Sequence, residues 1–190
     1  MENKGSRSWR DVRRQRDPDW DNKVVESKRK RKMEEGGCLC RSLSSVLGVP
    51  LTKEQEDLRL MQVDKETDIF KVAMNLRDEG KEVDISKLTR DSIVNAQKKA
   101  VEFVQAIQSQ RDTPAGKAMQ NIVFSYEQLT PSQIRQAIKQ GGQVVLCEVL
   151  HAAHIVPNGE EGNIFRSLSD NGESLHLKEQ PTKVLVFRKK

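Results

Sequence analysis

The sequence predicts an α+β fold, a helical N-terminal half followed by an antiparallel β-sheet, and two observations carry that expectation. Up to Gly142 the apolar residues recur at helical spacing between capping signals. Beyond it the period drops to two. The runs VVLCEVL, AHIVP, NIFRSLS, ESLHL and KVLVF are short, rich in Val, Ile, Leu and Phe, and separated by the turns NGEEG, DNG and QPT. Helices first and strands last is the signature of an α+β architecture.

In order along the chain, residues 1–36 show almost no apolar periodicity and dense charge, so they predict a basic tail too polar to bury itself, disordered unless a partner orders it. Cys40, Leu43, Val46 and Leu47 then share one helix face that stops at Gly48-Val-Pro50. Thr52 with Gln55 forms a capping box for a second helix. Thr67 precedes Ile69, Val72, Ala73 and Leu76 on one face, with Gly80 closing that helix. A longer helix is expected from Asp91 to Gln110 with Ile93, Ala100, Val104 and Ile107 inward. Another is expected around Met119, Ile122, Val123 and Tyr126. Thr130, Pro131 and Gln133 supply cap, first-turn proline and capping box for the last helix, which ends at Gly141-Gly142. Residues 37–190 are thereby read as a single domain.

Charge narrows the classes of function. The net charge of +5 is concentrated in the tail, which carries 12 Lys and Arg against 8 Asp and Glu, while residues 37–190 are nearly balanced. Lys28, Arg29, Lys30, Arg31 and Lys32 form a cluster of the kind used for nuclear import or nucleic-acid attraction. Trp9 and Trp20 are candidate anchors for docking that arm. No apolar run approaches the roughly 20 residues of a membrane span, and the first thirty residues lack a signal-peptide core, which points to synthesis in a cytosol. Three cysteines, two of them in Cys38-Leu-Cys40, do not form a disulfide framework. Their spacing with His151 suits a metal poorly, so neither metal nor cofactor is expected.

Chemistry concentrates in two places. Cys40 falls near a helix start, where unpaired N–H groups favour a thiolate; Cys38 takes that place if the helix begins sooner. His154 leads the strand HIVP, and NIFRSLSD returns antiparallel, so counting back from the turn brings Asp170 near its level. An Asp there accepts the imidazole N–H and sets its tautomer, as a cysteine nucleophile with a histidine base requires. His151 is expected to be a neighbour, Cys147 a packed core thiol, and His176 inert.

The order of Cys on an early helix, a helical middle, then His and Asp on a hairpin resembles the papain-like cysteine protease superfamily. The stretch from Cys40 to Val46, CRSLSSV, looks like its nucleophile-helix motif CWAFSAV. The segment from Gly141 to Gly172 is similar to bacterial papain-like effector proteases and glutamine deamidases, and the compact order is also that of the picornaviral leader protease. These patches cover about 40 residues. Arg41 stands where an aromatic residue is common, and no Gln or Asn lies just upstream of Cys40. The resemblance implies Cys40 as nucleophile, His154 as general base and Asp170 as orienting acid, in a hydrolase of protein amides delivered into or expressed in a host cell and steered by its basic tail towards a nucleus. The alternative function is a non-enzymatic accessory protein that binds nucleic acid or a protein partner through the arm. The composition sets no oligomeric state.

Overall fold

A computed structural model describes residues 37–65, 90–148, 151–160 and 162–190, with Arg16, Pro18, Asp19 and Lys23. The described chain is α+β. Five α-helices lie mostly in the N-terminal half: α1 (37–47), α2 (Lys53–Lys65), α3 (Arg90–Ser109), α4 (Pro114–Ala118) and α5 (Pro131–Lys139). The strands are β1 (Ile122–Leu129), β2 (Gln143–Cys147), β3 (Ala152–Pro157), β4 (Ile164–Ser167), β5 (Ser174–His176) and β6 (Thr182–Lys189). They form one antiparallel sheet in the order β1-β6-β2-β3-β4-β5. The basic cluster Lys28 to Lys32, the two tryptophans and the helix expected after Thr67 lie outside the described residues.

The capping chemistry forms as the sequence predicts. Thr52 and Gln55 exchange backbone-to-side-chain bonds at 2.8 and 3.2 Å, and Thr130 and Gln133 close the second box at 2.9 and 3.3 Å. Gln55 does more than cap. Although 1 % exposed, its amide donates to Gln110 at 2.7 Å and Thr113 at 3.1 Å, tying α2 to the turn after α3 and satisfying a buried polar group. In α4, which follows that turn, Gly116 has no substitute, because a Cβ there would sit 1.7 Å from the Gln110 carbonyl oxygen.

The helix expected around Met119 to Tyr126 is a strand. Met119 sits in a single 3-10 turn, and the chain then extends as β1 along β6, with Phe124 opposite Phe187 and Tyr126 opposite Leu185. Ile122, Phe124 and Tyr126 share one face of the strand and pack partly against the core, a spacing of two that a pleated strand supplies.

Side-chain alternation divides the core between the two faces of the sheet. Val145, Cys147, Ala152, Leu185 and Phe187 pack against α1 and α3, where Cys40, Leu43, Val46, Phe103, Val104 and Ile107 meet them. Val144, Leu146, Ala153, Ile155, Val184 and Val186 pack on the other side with Ile134 and Ala137 of α5, Phe165 and Leu177. The central strands are covered on both sides, hence the unbroken apolar runs VVLC and VLVF. No helix among the described residues is long and apolar enough to cross a membrane.

Candidate functional site

Helix α1 lies along the sheet with a direction fixed by two polar contacts. Gln143, at the start of β2, donates its side-chain N–H to the Val46 carbonyl at 3.2 Å, and Ser45 Oγ lies 2.6 Å from His154 Nδ1. Val145 pairs with His154 across β2 and β3, so His154 projects onto the α1 face together with Val145 and Ala152. Moving from Ser45 back to Cys40 covers about 7.5 Å of helix axis. That distance is a little over two strand residues towards the head of β3, the level of Ala152 with His151 just before it.

A cleft of about 720 Å³ opens between α1 and the segment after β4; Cys40, Arg41, Ser44 and Ser45 line one side, Leu168 and Ser169 the other. The register of β3 with β4 pairs Ile155 with Ser167, which sets Leu168 opposite His154; the Leu168 N–H donates to the His154 carbonyl at 2.8 Å. Asp170 therefore stands past the end of β4, in a turn where Asn171 takes a positive φ of 57° and the Gly172 N–H returns to the Ser167 carbonyl at 2.8 Å. Its carboxylate accepts from the Ser167 hydroxyl at 3.0 Å and lies 3.8 Å from the Arg41 guanidinium. A half-exposed pair at that distance is worth at most about 1 kcal/mol, so it marks the rim of the cleft without locking it.

Of the three residues singled out in the sequence, Cys40 lines the cleft, His154 lies buried behind Ser45, and Asp170 stands beside Arg41 at its rim. Among the described residues His154 bonds through its ring to Ser45 and through its backbone N–H to Ser169 Oγ at 3.1 Å, and neither Cys40 nor Asp170 hydrogen-bonds to its ring. The hydroxyls of Ser167 and Ser169 are 3.2 Å apart and join the His154 backbone to Asp170. Ser45 and Arg41 are the residues sequence reasoning missed. Serine inside a helix carries no signal beyond polarity, and Arg41 stood out only by departing from a motif.

Burial dominates the electrostatics around the cleft. Burial pushes the Cys40 thiol up to about 12, outweighing the Arg59 guanidinium that favours the thiolate. Cys147, equally buried, is likewise pushed up to about 12 by burial. Burial lowers His154, so its imidazole is neutral at pH 7. Cys38 is buried in the same cluster. No group of three His, Cys, Asp or Glu suited to a metal is present among the described residues.

The His154 shift has a consequence for stability. The unfolded chain protonates this ring near the ordinary 6.5 and the folded chain only below it, so stability is complete above 6.5 and declines as pH falls through the folded value. Urea denaturation at a series of pH values is expected to show a stability loss below pH 6.5 that His154→Gln flattens; equal slopes in the two proteins would place the acid sensitivity elsewhere.

No family model, curated protein or solved structure matches this chain.

Proposed function

We propose that the α1 cleft is the active site of a papain-like thiol hydrolase acting on amide carbonyls of a protein substrate, either a main-chain amide or a glutamine side chain. The observation that supports it is proximity: Cys40, Leu168 and Ser169 line one opening, and two other lining residues, Ser45 and Arg41, contact His154 and Asp170, although more than a hundred residues separate Cys40 from both. In this reading Cys40 is the nucleophile, His154 the base, and Asp170 the acid that orients it.

The chemistry requires a base, because a thiol pushed up to about 12 is not a standing thiolate. In this reading His154 must give up the Ser45 hydroxyl and reach the Cys40 thiol, which lies about 7.5 Å back along the α1 axis from Ser45. Cys40 Sγ attacks the carbonyl carbon as its proton passes to the imidazole; the tetrahedral intermediate collapses, the amine or ammonia leaves with that proton, and water hydrolyses the thioester. Expelling ammonia makes the reaction a deamidation, expelling a peptide amine a proteolysis.

Ser45 is then a brake on the base. Ser45→Ala is expected to raise the rate of chloroacetamide alkylation at Cys40 several-fold at pH 7, read by site-resolved mass spectrometry, while His154→Ala lowers it. Running His151→Ala beside them identifies which imidazole serves Cys40, since His151 stands at the head of β3 near the Cys40 level. No response to any of the three would contradict a Cys–His site in this cleft.

A further inference from the structure

The sheet has a second feature far from that cleft, at the free edge of β1. Strand β1 is the first in the sheet order and pairs only with β6 among the described residues. The Lys190 N–H donates to the Asn121 carbonyl at 2.9 Å, which makes that pair hydrogen-bonded and fixes the alternation along the ladder. Val123, Ser125 and Glu127 therefore turn their backbone groups towards β6, and Ile122, Phe124, Tyr126 and Gln128 turn theirs outward. An independent contact agrees: the Ile122 carbonyl, on the outward set, accepts from the Gln108 amide of α3 at 3.0 Å. At Phe124, Tyr126 and Gln128 the outward N–H and C=O groups have no protein partner among the described residues, an open template for another strand.

Beside that edge runs a groove of about 710 Å³ between β1 and α3. Its floor is apolar, with Val101, Ile122, Phe124 and Tyr126 packed only partly into the core. Its walls carry the amides of Gln105, Gln108 and Gln120. The charged residues lining it are Arg111 and Lys190, with no carboxylate among the lining side chains, and Lys183 stands over the Tyr126 ring at 5.2 Å. Glu127, the one acid on β1, points to the opposite face and is held by Arg188 at 2.9 Å. Backbone groups at strand spacing, apolar floor positions two residues apart and unopposed cations around the rim are the elements of strand addition.

We infer that the β1 edge and its groove bind an extended acidic segment of a partner protein as an added strand, its alternate apolar side chains seated over Phe124 and Tyr126 and its carboxylates facing Arg111, Lys183 and Lys190. Charge complementarity selects the occupant: a second copy of β1 would bring the same cations together, and a basic segment would be repelled. This site is independent of the thiol chemistry proposed for the α1 cleft.

The test uses the full chain and a fluorescein-labelled octapeptide alternating valine with glutamate, its counterpart alternating valine with lysine, and a form of the acidic peptide N-methylated on alternate residues to remove its strand donors. Fluorescence anisotropy is expected to show the acidic peptide binding at least about tenfold more tightly than the basic one, N-methylation abolishing the binding, and the double variant Arg111→Glu, Lys190→Glu reversing the preference. Equal affinity for both peptides, binding that survives N-methylation, or no binding up to about 1 mM would overturn the inference. So would a concentration-dependent dimer that the acidic peptide fails to dissociate, which would assign the edge to a second copy.

Discussion

On the thiol-hydrolase reading proposed for the α1 cleft, Cys40→Ala is expected to remove amide hydrolysis, with kcat/KM falling about 10⁴-fold or more, because loss of the nucleophile abolishes the covalent route while binding persists. The readouts are ammonia release from glutamine-containing protein and new N-termini after incubation with the same protein, which together separate deamidation from proteolysis. Alanine is preferable to serine. Cys40 is 4 % exposed in the cluster that joins α1 to the sheet, and a hydroxyl there would add an unsatisfied buried polar group. Circular dichroism on the same sample checks that the fold survives. Cys38→Ala run in parallel is expected to retain activity; the reverse result would transfer the nucleophile one helix residue pair upstream.

The second large effect is on stability. Phe165→Ala is expected to cost about 3–5 kcal/mol in urea denaturation, the range for emptying a fully buried aromatic site. Phe165 has no exposed surface and fills the α5 side of the sheet among Ile134, Ile155 and Leu177. The Arg135 guanidinium lies 5.2 Å from its ring centre while donating to the Gly162 and Gly159 carbonyls at 2.8 and 3.0 Å. One side chain of α5 thus covers the core aromatic and holds the β3–β4 connection. Loss of Phe165 removes the surface on which Arg135 rests, so the connection that sets the β3–β4 register should loosen with it. A cost under about 1 kcal/mol would mean that this face of the sheet refills the space.

Both capping boxes, the boundaries of α3 and the last helix, and the five C-terminal strands were legible because each depends on local chemistry: a hydroxyl three residues before an amide, a glycine after a helix, a two-residue period. Strand β1 was not. Ile122, Val123 and Tyr126 also satisfy a helical spacing, and only β6, sixty residues further on, reveals that their alternation has a partner. The hairpin carrying His154 and Asp170 was legible as a hairpin, yet a shift of two residues in its register decides which side chain stands opposite His154. Counting from the turn brought Asp170 to that level, whereas the ladder brings Leu168 there. The Ser45–His154 contact was beyond reach, since it depends on how far α1 slides along the sheet, which the Gln143 bond to Val46 fixes in three dimensions.

The most direct test of the thiol-hydrolase reading compares two cysteines within one molecule. Cys40 and Cys147 are matched in burial, at 4 and 3 % exposed, and both thiols are pushed up to about 12; of the two, Cys40 lines the cleft. Chloroacetamide labelling of the native chain at pH 7, resolved by site, is predicted to modify Cys40 about 10²-fold faster than Cys147, the contribution expected of a positioned base. Equal slow rates at the two sites would contradict it, leaving Cys40 a packed core thiol and the cleft without its nucleophile.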